Sequence, residues 1–134
     1  MSVSLRDFKR DSHGARYADV LRDPIEGPAL RAALRILNRR DVVERMRDAV
    51  DLYQRPPLAP AVRDIEAEAD FRVACRQRHG LPSRRLKQAV GVACKLVMRQ
   101  YGYVPAELPT GIPDQGRLAG FSSLFSTARK YRRK

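Results

Sequence analysis

The sequence predicts a mainly α-helical fold, a compact bundle of about four to five helices with a long Pro/Gly-rich loop before a short C-terminal helix. Three observations lead there. Apolar residues recur at helical spacing through the middle of the chain. No stretch alternates with the two-residue period of a convincing strand. Tryptophan is absent and aromatics make up 7% of residues, so the core must rest on Leu, Val, Ile and Ala. The 134 residues, 43% of them hydrophobic, suit one core, and 1–134 reads as a single helical domain.

Residues 1–27 form a polar N-terminal segment. A brief helix over Ala15–Leu21 would lay Tyr17, Val20 and Leu21 on the body. "RDPIEGP" then interrupts the chain with two prolines and a glycine.

Residues 28–54 read as a helical hairpin or one bent helix. Pro28 suits a first helical turn, and Leu30, Ala33, Leu34 and Leu37 share a face. Asp41 stands three residues before Glu44, the spacing of a capping box. Val42, Val43, Met46, Val50 and Tyr53 continue an apolar stripe. "QRPPLAP" stops it.

Residues 61–101 hold two helices. The first runs from Ala61 to His79 with Val62, Ile65, Ala69 and Val73 inward, and Gly80 ends it. Ser83 is placed as the N-cap of the second, Arg84–Tyr101. Its buried face is Leu86, Ala89, Val90, Ala93, Leu96 and Val97, and Gly102 ends it. The loop 103–120 carries three prolines and three glycines. The basic segment 121–134 closes the chain with a short helix over Ser122–Arg132, its apolar face built from Phe121, Leu124, Phe125, Ala128 and Tyr131.

The charge is lopsided. There are 27 Lys and Arg against 15 Asp and Glu, a formal +12. Residues 1–80 hold 16 cations and 13 acids; residues 81–134 hold 11 cations and two acids, Glu107 and Asp114. Such asymmetry points to a polyanion, nucleic acid first and an anionic membrane second. No stretch has the length of a membrane span, and "MSVSLRDFKRDS" lacks a signal core. Two cysteines are too few for a disulfide framework. A cytoplasmic, reduced protein is the expectation.

Catalytic chemistry is poorly supplied. His13 lies in a polar stretch, and His79 sits at a helix end, where it would interact with the last carbonyls. Cys75, His79 and Cys94 would make three metal ligands without a fourth, so the cysteines read as small hydrophobes. Asp64, Glu66, Glu68 and Asp70 alternate at spacing two and point apart on a helix. No phosphate-loop or dinucleotide glycine pattern is present. The expectation is a non-enzymatic protein with no cofactor and no metal.

Nucleic-acid binding has the stronger case. Arg84, Arg85, Lys87, Lys95 and Arg99 lie on one predicted helix with no acid between them. Arg117 and the cluster Arg129, Lys130, Arg132, Arg133 and Lys134 would extend that field if the last helix docks alongside through its apolar face. Cations so placed contact phosphates without reading sequence, and their affinity falls with salt. The expected partner is a DNA or RNA backbone.

"GLPSRRLKQAV" (80–90) resembles the turn and second helix of helix-turn-helix DNA-binding proteins. Gly80 matches the turn glycine, Leu81 the apolar residue after it, and Leu86 the buried position of the recognition helix. "YGYV" (101–104) resembles the exit from such a helix into the wing of winged-helix proteins. The resemblance implies Arg84, Arg85 and Lys87 directed at the groove. The chain departs from that pattern at Arg76, where a small residue normally packs, and in the length of its second helix.

In size, charge and helicity the chain is also similar to small subunits of ribonucleoprotein complexes, such as those of CRISPR effectors. That similarity implies protein partners in a larger assembly, or a homo-oligomer. A third reading seats Phe121, Leu124, Phe125 and Tyr131 with the terminal cations on an anionic membrane surface.

Overall fold

The structure, a computed structural model, describes residues 2–105 and 131–133. It is mainly helical. Helices run over Leu5–Arg10 (α1), Ala18–Arg22 (α2), Glu26–Leu37 (α3), Arg40–Asp51 (α4), Ala59–Glu66 (α5), Ala69–Arg76 (α6) and Arg84–Gln100 (α7). A 3₁₀ turn, Gly14–Tyr17, leads into α2. Two short strands, Tyr103–Pro105 (β1) and Tyr131–Arg133 (β2), pair antiparallel with Tyr103 opposite Arg133.

Helix α3 is the hub. Eight of its twelve residues are buried, including Leu30, Ala33, Leu34 and Leu37. A helix apolar round most of its circumference belongs inside. Helices α2, α5, α6 and α7 all pack on it. Its start is set by Asp23, whose carboxylate accepts from the Ile25 and Glu26 amides, both at 2.8 Å. Pro28 falls in its first turn, where no amide is needed. Gly27 lets α2 come close, since a Cβ there would stand 2.5 Å from the Leu21 carbonyl oxygen.

The chain breaks after Asn38 rather than bending. Arg39 is extended (ψ 135°) and occupies the N-cap of α4. Asp41 is therefore inside the first turn of α4 and forms no capping box; its carboxylate accepts from Arg39 Nε at 3.0 Å instead. Asn38 has a second task. Its side-chain amide accepts from the Val3 amide and donates to the Val3 carbonyl, both at 2.8 Å, and also donates to Leu34 O at 2.9 Å. One side chain thus holds the start of the chain against α3 as a neighbouring strand would.

The helix expected over 61–79 is two helices. Glu68 is extended (ψ 136°) and α6 restarts behind it. The restart re-phases the apolar face: Phe71 and Ala74 are buried, whereas Ala69 and Val73 are exposed. One continuous helix would put Ile65 and Phe71 about 120° apart at 100° per residue; the break lets both reach the core. Helix α6 ends at Arg76, before His79. His79 (φ 58°) and Gly80 (φ 88°) then turn the chain, with the Leu81 amide on Arg78 O at 3.1 Å. Two positive-φ residues inside such a bond are the requirement of a type I′ turn. The Gly80 amide also satisfies Cys75 O. Ser83 caps α7, accepting from the Leu86 amide at 3.1 Å.

Buried apolar side chains form one cluster from Val3 to Tyr103, and it includes the expected α7 face. The proline segment takes part as well, with Pro56, Pro57 and Leu58 buried. Cys94 is buried and its Sγ lies 4.0 Å from Met46 Sδ. Burial pushes that thiol up to about 12, which leaves it an inert hydrophobe. The half-buried Cys75 thiol is raised too, by desolvation first and then by Glu66.

Residues 131–133 are extended, so the expected terminal helix does not reach Arg132. Their backbone pairs with β1 instead, Val104 opposite Arg132. The rest of that expected helix and the loop 106–120 lie outside the described residues.

Candidate nucleic-acid interface

Helix α7 carries five of the expected phosphate contacts, and the fold treats them differently. Arg85 is committed to the N-terminal segment. It donates through Nε to Asp19 Oδ2 at 3.2 Å, through Nη2 to Asp19 Oδ1, and to Arg16 O at 2.7 Å. Its guanidinium also lies 4.7 Å from the Tyr17 ring centroid. Hydrogen bonding to Arg85 is the first cause holding the Asp19 carboxyl below its usual range, and the same contact raises Arg85. Arg99 pairs with Asp11 at 3.7 Å. Lys95 is half-buried. Arg84 is exposed and Lys87 partly so, and neither makes an ion pair among the described residues.

The five cations expected to contact phosphate from α7 are therefore not all unpaired. Acids of the first 20 residues claim Arg85 and Arg99, because the 3₁₀ turn and α2 pack on α7. The Tyr17 hydroxyl, donating to Gln88 Oε1 at 3.4 Å, belongs to the same contact. Arg132 and Arg133 lie on β2. Arg117, Arg129, Lys130 and Lys134, like Phe121, Leu124 and Phe125, fall outside the described residues.

A different basic surface emerges at the N-terminal end of α7. Residues 71–106 contain eight Lys and Arg and no acid. Arg72 and Arg76 sit one turn apart on the exposed side of α6. Arg78 is exposed beside the I′ turn, and Arg84 and Lys87 follow on the first turn of α7. None of these five makes an ion pair among the described residues. Two exposed apolar side chains are interleaved with them, Val73 on α6 and Leu81 in the turn. Counting charge in two blocks divided at residue 80 hid Arg72, Arg76 and Arg78. The acid-free window was the signal that would have found them.

The surface continues towards the N-terminal segment. Arg78 is close enough to Asp23 to help lower its carboxyl, after the larger effects of the Glu26 and Ile25 amides. Asp23 lines an open groove together with Lys9, Arg22 and Arg31. Three cations against one carboxylate leave the groove net positive.

Between α3, α4, α5 and α6 several cations are matched by acids. Arg45 donates to Pro60 O at 3.2 Å and pairs with Asp64, Arg39 pairs with Asp41 and Asp64, and Arg35 meets Glu68 at 3.9 Å. These pairs tie α3 and α4 to α5 and α6 and leave that side electrically mixed. Among the described residues no group of three or more His, Cys, Asp or Glu is arranged to hold a metal, and no helix is long and apolar enough to cross a membrane.

Helices α6 and α7 resemble a helix-turn-helix unit only in part. Their connection is residues 77–83, longer than the usual three to four. Each packs more heavily on α3 than on the other. The ribbon β1–β2 does follow α7 directly after Gly102, at the place of a wing.

No family model matches the chain, and neither a curated protein nor a solved structure is found to be similar to it.

Proposed function

We propose that this protein is a non-catalytic nucleic-acid-binding protein that grips the phosphate backbone with the surface formed by α6, the I′ turn and the first turn of α7. One observation carries the reading: Arg72, Arg76, Arg78, Arg84 and Lys87 follow one another along α6, the I′ turn and the start of α7 with no acid in that stretch and make no ion pair among the described residues, whereas Arg85 and Arg99 of the same α7 are paired. Unpaired exposed cations in an acid-free zone repel one another, and a polyanion relieves that cost. The small size and helical build suit a subunit of a nucleoprotein assembly, with protein partners or further copies beside it and a cytoplasmic setting.

The deciding experiment is a salt-titrated binding series against duplex DNA, single-stranded DNA and RNA. Five phosphate contacts give a slope of log K against log salt of about −4 to −5 on duplex DNA. Absence of binding to every polynucleotide at low ionic strength would overturn the proposal.

The β1–β2 ribbon favours a second reading, a winged-helix-like DNA-binding regulator using residues 80–90. Here Arg84 and Lys87 enter a groove, while Arg85 stays with Asp19. Selection from random duplexes separates the two readings. A regulator enriches one site and prefers it by roughly 4 kcal/mol or more; a backbone binder enriches none.

A further inference from the structure

The opposite end of α7 carries a feature that phosphate binding leaves unused. Three of the five exposed large hydrophobic side chains among the described residues lie there: Leu52 (68% exposed), Tyr53 (64%) and Tyr101 (37%). Two contacts bring them to one end of the molecule. The Tyr103 hydroxyl donates to Asp51 Oδ2 at 2.5 Å, and the Arg47 guanidinium lies 6.0 Å from the Tyr101 ring centroid. The end of α4 is thereby fixed against the end of α7.

The backbone that presents Tyr53 is strained. Gln54 has φ 52°, a left-handed conformation that glycine adopts freely and glutamine does not. It is held there by the Arg55 amide on Ala49 O at 2.7 Å and the Tyr53 amide on Asp48 O at 3.3 Å. A strained residue that holds an aromatic ring and a leucine in solvent indicates a use for them. Local charge indicates which use. Arg47 and Arg55 are offset by Asp48 and Asp51, so the patch does not attract phosphates as the α6–α7 surface does. It offers two exposed rings, one of them, Tyr101, with a guanidinium beside it.

We infer that Tyr53 and Tyr101 form a stacking platform for unpaired bases, so that the preferred ligand is a single strand rather than a duplex. The inference rests on the nucleic-acid reading above and names its substrate class. Base faces stack on aromatic side chains whatever the sequence, and arginine adds to the stack. A duplex hides those faces. Helix α7 spans about 24 Å at 1.5 Å per residue, which sets the distance between the phosphate grip and the platform. At 3.4 Å per phosphate that is about seven nucleotides of a helical strand, fewer if extended.

The test uses the full chain and a mixed-sequence strand of about 15 nucleotides, alone and annealed to its complement. The protein has five tyrosines and no tryptophan, so tyrosine emission reports the rings directly. The expected result is tighter binding of the single strand, with quenched tyrosine emission. Tyr53→Ala and Tyr101→Ala each weaken single-strand binding roughly tenfold and leave duplex binding within about twofold, while Tyr53→Phe binds as the parent. Circular dichroism and melting confirm that the variants are folded. If the parent binds strands but both alanine variants bind as tightly, the platform is wrong and the phosphate reading stands. If the parent binds neither form, the underlying reading fails. If Tyr53→Ala changes only the oligomeric state, the patch is a protein interface and the inference is overturned.

Discussion

Arg85 and Asp19, 66 residues apart in the chain, are joined side chain to side chain through two hydrogen bonds. The same guanidinium also takes the Arg16 carbonyl and covers the Tyr17 ring. This clamp fixes the N-terminal segment to α7. It gives Arg85 a structural task, whereas Arg84 beside it has no acid partner among the described residues.

Arg85→Ala and Arg84→Ala should therefore behave in opposite ways. Arg85→Ala lowers the melting temperature by a few degrees and leaves the salt slope of binding unchanged. Arg84→Ala leaves the melting temperature unchanged and reduces the slope by about one. Thermal melts and salt-dependent titrations of the two variants check both statements.

The carboxylates of Asp7, Asp19, Asp23 and Asp41 are all held below their ordinary 3.8, each first by a hydrogen bond to its charged form. A lowered folded-state value means that the folded protein binds fewer protons than the unfolded chain in this range. Stability gained this way is complete above pH 3.8 and is lost as pH falls through the folded values. Urea midpoints measured from pH 5 downwards should fall, and Asp19→Asn should flatten the fall.

The break between α5 and α6 makes a paired prediction. Phe71→Ala removes a fully buried ring and should cost about 3–5 kcal/mol. Val73→Ala, on the face that simple periodicity would bury, should cost under about 0.5 kcal/mol, because Val73 is 41% exposed. Chemical denaturation of the two variants settles which face is inward.

Cys75 and Cys94 should differ in reactivity. Both thiols are raised, Cys94 to about 12 within the core, and Cys75 is the more accessible. Mass spectrometry after alkylation of native protein should find Cys75 modified first. Cys94 modification should keep pace with global unfolding across a denaturant series.

Much of the helical framework was legible in the residues. The face of α7, its Ser83 cap and its end at Gly102 follow from periodicity and one hydroxyl. The short α1 was missed, although Ser4 and Asp7 stand at the spacing of the capping box that they form. The break at Glu68 was not legible. No glycine or proline marks it, and it exists because Ile65 and Phe71 both reach the same core. The pairing of Arg85 and Arg99 was hidden for a related reason. Charge counted along the chain cannot show that Asp11 and Asp19 fold back onto Arg99 and Arg85. The cluster from Arg72 to Lys87 was legible as an acid-free window that crosses residue 80.

The amide nitrogen of Asn38 ties the first residues to α3 by donating to the Val3 carbonyl on one side and the Leu34 carbonyl on the other. Hydrolysis of that amide during ageing would set a carboxylate against both oxygens and loosen the strap at Val3. The chemical shelf life of the amino-terminal end thus depends on a single nitrogen atom, and replacing Asn38 by a side chain that cannot deamidate would exchange that fragility for a lost tether.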